Sequence, residues 1–488
     1  MSEPVSLQRL AHITRGHATG AADVRDVTHD SRAVAQGTLF VAIRGAVADG
    51  HRFVTEAIER GAAAVAVDHE IGAAVPELVV ADTRQALAPL AAEVYGHPAR
   101  ALRVIGVTGT NGKTTVTHLL ERIAVAAELS PGIVGTVGAR SAGVSIDVAR
   151  TTPEASDLQR ILRRMVDDGV DLVGLEVSSH ALALHRADAI EFDIVAFTNL
   201  SQDHLDFHGD MERYFAAKAE LFAGDRARVA VIEIDDPFGR RLAEQTPLLV
   251  TTVSVDGPAD VTARITDADT GGSTFTIESP LWTRTIRLPM PGRFNVANAA
   301  VAAAIAMHAG IAHDAIAAGL AAGPGIPGRL QPVVAGQPFA VFVDYAHTPD
   351  AVAAAIESVR ALVPGRITCV VGAAGDRDRA KRPLMGAAAA AADAVVLTSD
   401  NPRSEDPNTI LSEVLAGAGS AAALDVIVDR RAAIASAISR AAPGDAVLIL
   451  GKGHETGQEA AGVVTPFDDV VIAREALAAR MAGNEVAR

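Results

Sequence analysis

The run LRVIGVTGTNGKTTVTHLLERI, residues 102–123, gathers the residue types that hold a nucleotide phosphate. Glycines at 109 and 112 let backbone N–H groups approach phosphate oxygens, and Lys113 can reach the outer phosphates. The hydroxyl of Thr114 or Thr115 suits Mg²⁺, and a helix starting there adds partial positive charge at its N-terminus. Gly109, Thr110, Asn111, Gly112, Lys113, Thr114 and Thr115 are therefore read as a loop around a triphosphate. The spacing G-x-x-G-K-T-T is shorter than the common P-loop pattern, because Val107 stands where an earlier glycine would.

Other polar clusters follow apolar runs. Glu176 closes VDLVGLE, and a carboxylate ending a strand beside a phosphate loop is placed to ligate Mg²⁺. Ser178 comes next. After IVAFTNL the chain carries Asp203, His204, Asp206 and His208, a density that favours metal binding or catalysis. Lys218 follows on a helix, where lysines ordinarily face solvent. Thr151 and Thr152 precede Pro153 and a helix, so their hydroxyls suit capping or an anion. Further on, VFVD ends at Asp344 before His347, and ITCVVG leads to Arg377. AVVLTS leads to Asp400, Asn401, Pro402 and Arg403, and AVLIL to Gly451 and Glu455. Open parallel sheets bind ligands at such strand C-termini.

The elements that must position these residues read as alternating strands and helices, an α/β fold of three domains. The expected domains are 1–98, a small α/β unit; 99–327, a central P-loop-type parallel-sheet domain; and 328–488, a Rossmann-like unit. GHPAR (96–100) and the Gly/Pro-rich GPGIPGRLQP (323–332) mark the junctions. GIVGTVGAR (132–140) is read as one Gly-rich strand, and residues 229–288 as a series of strands. The 488 residues are 49% hydrophobic but only 3% aromatic, so cores should be aliphatic. The net charge of −16 argues against general nucleic-acid binding, which needs a basic surface, but not against a nucleotide held by a local loop. Cys369, the single cysteine, reads as a small buried apolar residue. No basic-then-apolar leader and no run of about 18 apolar residues is visible, so a cytoplasmic protein with no membrane span is expected.

The stretches DSR (from Asp30), LFVAIRG, TGTNGKTT, TTP, EVSSHAL, FTNLSQDHLDFHGDMERYFAAK, GRFNVAN, VDYAHTPD, GDRDRAKRPLMG, DNPR and GKGHE occur here in one order. In that order they resemble, nearly end to end, the Mur ligases, ATP-dependent amide-bond synthetases of peptidoglycan assembly. The likeness is greatest to the branch that joins a diamino acid to the D-Glu of UDP-N-acetylmuramoyl-L-alanyl-D-glutamate. It implies ATP, two Mg²⁺ ions and a lysine carbamylated by CO₂. Lys113, Glu176, His204 and Lys218 would be catalytic, with Thr114, Glu176, His204 and carbamylated Lys218 serving the metals. Asn295, Arg329, Asp344 and His347 would join the loop in binding ATP. Ser31 in the first domain, with Thr151, Thr152, Ser178 and Arg186, would bind the UDP-sugar dipeptide. Arg377, Asp400, Asn401, Pro402, Arg403, Gly451 and Glu455 would bind the diamino acid. DNPR resembles the version that accepts meso-diaminopimelate, since Arg403 offers a bidentate fork to a distal carboxylate that lysine lacks. Lysine or another diamino acid is the alternative. Departures from the family pattern are Leu184 in place of a common Gln, Arg150 in place of Asn, and Ala46 and Val47 in a loop that is more polar in some relatives.

Rival readings are folylpolyglutamate synthetase, which lacks a separate domain of about 100 residues before its loop, the D-Ala-D-Ala-adding Mur ligase, and a non-catalytic nucleotide switch. A monomer that binds neither nucleic acid nor membrane is expected.

Overall fold

The computed structural model describes residues 3–45, 48–323 and 325–486, so Ala46 and Val47 lie outside the described residues. The continuous apolar runs become strands buried on both faces, which is what a parallel sheet between helices demands. In the first region these are Asp26–Thr28, Thr38–Val41, Ala62–Val67 and Glu77–Val79, all parallel, with His17–Ala18 antiparallel at one edge.

The largest sheet has 11 strands. Its parallel centre runs Pro131–Gly135, Leu172–Glu176, Arg103–Thr108, Ile194–Phe197, Val229–Glu233 and Leu249–Ser254. Antiparallel ribbons extend both ends, so the expected parallel sheet is in fact mixed. One ribbon corrects the reading of residues 132–140 as one strand: the chain reverses after Gly135 and returns as Gly138–Ser141. Gly138, at φ 100°, supplies a turn conformation that a residue with a Cβ would adopt only under strain. A helix, Pro237–Gln245, also interrupts the expected series of strands, with Asp236 capping its N-terminus.

Helix Lys113–Ala126 and the alanine-rich helix Arg293–His308 share one core over this sheet. The second is apolar nearly all round, as a helix enclosed by neighbours must be. Helix Ala155–Asp167 covers the opposite face. The C-terminal sheet orders its strands Gln331–Pro332, Ala340–Asp344, Ala446–Leu450, Ile367–Val371, Ala394–Leu397 and Leu424–Val426, parallel except for the first. Cys369 is buried within it, as its sequence context implies. Among the described residues no helix is long and apolar enough to cross a membrane.

Candidate active site

The phosphate-type loop leaves strand Arg103–Thr108 at Gly109 and re-enters helix at Lys113. Gly109 and Gly112 take φ of 149° and 88°. A Cβ on Gly109 would sit 1.9 Å from the Thr198 hydroxyl, and one on Gly112 would sit 2.2 Å from Asn298 Oδ1. Both positions therefore need glycine for conformation and for space. Asn199 fixes the loop from the neighbouring strand end: its Oδ1 accepts the Asn111 N–H at 3.0 Å and its Nδ2 donates to Asn111 O at 3.2 Å.

Lys113 Nζ donates to the carbonyls of Gly109 (2.8 Å) and Thr110 (2.9 Å). Burial lowers its pKa against the opposing pull of Glu176 and Asp203. Sheet register pairs Glu176 with Val107, so the Glu176 carboxylate reaches the start of the phosphate-loop helix. There Thr114 donates to Glu176 Oε2 at 3.1 Å, Thr136 Oγ1 donates to the same oxygen at 2.9 Å, and the Thr136 N–H donates to Oε1 at 3.0 Å. Arg329, 215 residues away in sequence, donates to the Thr114 hydroxyl at 2.9 Å.

Lys218 departs from the ordinary solvent-facing helical lysine: its side chain is 1% exposed. Nζ donates to Gly109 O at 2.8 Å and lies 4.7 Å from the Tyr214 ring centre. Burial, helped by the nearby Lys113 charge, holds its pKa well below that of a free lysine. His204, in the left-handed region at φ 54°, is pushed down to about 3 by burial. Asp203 beside it is buried and collects Lys381 Nζ at 3.1 Å, His204 at 3.4 Å and His347 at 3.6 Å. Burial opposes its ionisation, but the hydrogen bond with His347 and the Lys381 charge hold the carboxyl well below the usual range.

These groups face the ends of the C-terminal strands across a cleft of about 310 Å³. Thr110, Lys113, Thr114, Glu176, Ser178 and His204 line it from the central region, and Arg329, His347, Arg377, Asp400, Asn401, Arg403, Gly451 and Glu455 from the C-terminal one. Thr151 also lines the cleft, its hydroxyl 3.0 Å from that of Thr136. Buried Lys452 ties the far side together: Nζ donates to Asn401 Oδ1 (2.9 Å) and lies 3.1 Å from Glu455 and 3.8 Å from Asp400. Burial raises the Asp400 carboxyl despite the Arg430 and Lys452 charges. Pro402 packs its carbonyl on Gly375 rather than lining the cleft. A second cavity, about 480 Å³, continues from Asn111, Gly112 and Thr115 to Asn298, Glu233, Asp344 and Tyr345.

Several expected residues lie off the cleft. Ser31 is buried against Glu56, to which it donates at 3.1 Å. Thr152 donates to Glu176 O at 2.8 Å, and Arg186 pairs with Glu154 at 2.9 Å. Glu154 also holds Arg84 of the first region at 3.1 Å. Asn295 is fully buried and donates to Pro291 O at 2.7 Å; its neighbour Asn298 is the one that meets the loop. Asp344 accepts the backbone N–H groups of Leu330 and Ala346, orienting the chain that carries Arg329. The four expected metal ligands form no single cluster: Thr114 and Glu176 meet, while His204 faces Asp203 and Lys218 faces Gly109 O. Asp203, Lys381, Lys452, Thr136 and Asn298 complete the site. Lys452 and Lys381 carried a signal inside GKGHE and GDRDRAKRPLMG, whereas Thr136 had none beyond its Gly-rich surroundings.

Three family models match in chain order: the Mur ligase family catalytic domain over residues 23–95, the Mur ligase middle domain over 107–306, and the Mur ligase glutamate ligase domain over 328–453. A UDP-N-acetylmuramoyl-L-alanyl-D-glutamate–2,6-diaminopimelate ligase of Streptomyces coelicolor is 48% identical over 94% of this chain and 93% of its own. A solved structure of a ligase with the same name is 34% identical, covers 98% of this chain and 99% of its own, and superposes with a TM-score of 0.69. The MurF ligase from Thermotoga maritima in complex with ADP shares the fold at 20% identity, over 94% of this chain and 99% of its own, with a TM-score of 0.66.

Proposed function

The chain belongs to the Mur ligase family, and from that premise we propose that it joins meso-2,6-diaminopimelate to UDP-N-acetylmuramoyl-L-alanyl-D-glutamate, converting ATP to ADP and phosphate. The observation that carries this reading is the single cleft in which the phosphate loop faces Arg403 and the Asp400–Asn401–Glu455 group.

A carboxylate resists attack by an amine, so the D-Glu γ-carboxylate first takes the γ-phosphoryl of ATP. The amine of the diamino acid then displaces phosphate from the acyl phosphate through a tetrahedral state. Lys113 neutralises charge on the transferring phosphoryl group, and the loop N–H groups hold the β-phosphate side. Arg329, already on the Thr114 hydroxyl, lies where the C-terminal region meets the loop and contributes a further cation. The 480 Å³ cavity beyond Gly112 has room for the nucleoside. Arg403 would fork the distal carboxylate of diaminopimelate, and Glu455 would hold the distal ammonium. Thr151 and Ser178 would meet the muramoyl dipeptide, with Thr152 and Arg186 supporting them through Glu176 O and Glu154; Ser31 would serve the uridine side.

Mg²⁺ fits the oxygen donors of Thr114 and Glu176, and when bound it supplies counter-charge for the phosphates. His204 would serve a second ion together with Lys218 as a carbamate. Such a carbamate needs a neutral amine, and the depressed pKa of buried Lys218 supports that. An intact mass showing only unmodified Lys218 at alkaline pH with bicarbonate would count against it.

The decisive assay is phosphate release with the UDP-dipeptide and each diamine in turn. Turnover is expected with meso-diaminopimelate, and roughly ten- to a hundredfold less efficient turnover with lysine. Equal efficiency with lysine, or none with any diamine, would overturn the assignment.

A further inference from the structure

The guanidinium of Arg403 is held from outside the cleft. The chain turns at Arg403 in the left-handed region, φ 51°. Its N–H donates to Glu459 O at 3.0 Å, and its carbonyl accepts the Ala461 N–H at 2.6 Å. Residues 459 and 461 belong to a hairpin, Gly457–Ala460 against Val463–Pro466, that follows GKGHE. The same hairpin presents Glu459 Oε2 to Arg403 Nε at 3.4 Å, and Arg403 Nη1 donates to Gly375 O at 2.6 Å. Glu459 lines an open groove of about 580 Å³ beside the cleft, and Arg403 lines both groove and cleft.

We propose that Glu459 is a positioning residue for the diamino acid: resting on the functional reading above, it fixes the Arg403 fork from the groove side so that the remaining guanidinium N–H groups face a substrate carboxylate in the cleft. An arginine has five N–H donors in a rigid plane. With Nε in ion-pair contact with Glu459 and one Nη1 hydrogen on Gly375 O, the donors left over include both on Nη2. A carboxylate on the groove side also balances the Arg403 charge, so the fork is not drawn toward the acidic groups Asp400 and Glu455 that line the cleft. Glu459 does not line the cleft; its N–H donates to Asn401 Oδ1 at 3.1 Å, a bond that side-chain variants keep, so the carboxylate acts through Arg403.

The test is steady-state kinetics of the full-length enzyme with meso-diaminopimelate and with lysine, for Glu459→Ala, Glu459→Gln and the double variant with Arg403→Ala. For Glu459→Ala, KM for diaminopimelate should rise about three- to fivefold, the scale of a partly exposed ion pair, with kcat, KM for ATP and KM for lysine unchanged. Glu459→Gln, which keeps an acceptor for Nε–H, should recover part of the loss. Once Arg403 is alanine, Glu459→Ala should add nothing further. An unchanged or lowered KM for diaminopimelate in Glu459→Ala, an equal rise for lysine, or additive effects in the double variant would each overturn the inference while leaving the functional reading intact. A wild-type enzyme inactive with diaminopimelate would overturn both.

Discussion

The two walls of the cleft hold their cations in different ways. On the phosphate-loop wall, Lys113 and Lys218 converge on the Gly109 carbonyl, and Arg329 joins them at Thr114. Their hydrogen-bond partners there are main-chain carbonyls and a hydroxyl, with the Glu176 and Asp203 carboxylates close to Lys113. On the C-terminal wall Lys452 has Asp400 and Glu455 at hand, and Arg403 has Glu459. Cations resting on carbonyls and a hydroxyl can turn to a polyanion such as a triphosphate. Cations set beside carboxylates suit a zwitterion, and a diamino diacid is one. The difference agrees with the proposed division of the two kinds of substrate between the walls.

That contrast can be broken most sharply at Lys113. Its replacement by alanine should lower kcat for ATP-dependent phosphate release by about 100- to 1000-fold, because a buried charge opposite the transferring group is lost. A kcat within tenfold of wild type would mean that the loop N–H groups and the other counter-charges carry the stabilisation without Lys113. On the other wall, Arg403→Ala should cost kcat/KM for diaminopimelate about ten- to a hundredfold while KM for ATP stays within twofold. Equal losses for both substrates would merge the walls into one site and remove the distinction.

A smaller effect follows from His118 on the phosphate-loop helix. Burial, with nearby Arg140, Arg122 and Arg329, pushes its pKa down to about 3 from 6.5. The folded protein therefore keeps His118 neutral while the unfolded chain protonates it below about 6.5. Its contribution to stability is complete above that pH and is lost as pH falls toward about 3. At pH 5 the loss is roughly 2 kcal/mol. Thermal unfolding at pH 7 and pH 5 should show a drop in Tm that narrows in His118→Leu; an unchanged drop would assign the acid sensitivity elsewhere.

The phosphate loop was readable from the chain because all its parts are contiguous. Gly109, Gly112, Lys113 and Thr114 need only local backbone geometry and the helix that follows. Glu176 was readable for a similar reason, since a strand of known length must end near the loop of its neighbour, and register does pair it with Val107. The residues assigned through family likeness fared unevenly in where they lie. Asp344, His347, Arg377 and Asp400 reach the cleft or the cavity beside it, whereas Asn295 and Ser31 are buried away from the cleft. In the ribbon at residues 132–140 the same glycine content fitted a strand or a turn, and only pairing with a neighbour could decide.

By itself the sequence determined the alternation of strands and helices, the loop that meets phosphate, and the polar ends of the strands. Those follow from side-chain periodicity and backbone chirality, which act over a few residues. Only the tertiary structure decided that Lys218 is buried on Gly109 O, that Arg329 crosses to Thr114, that Asp203 gathers Lys381 and His347, and that a hairpin carbonyl and carboxylate hold Arg403. Each depends on which distant segments close-pack, and so on the desolvation and charge that such packing imposes; no local pattern encodes them.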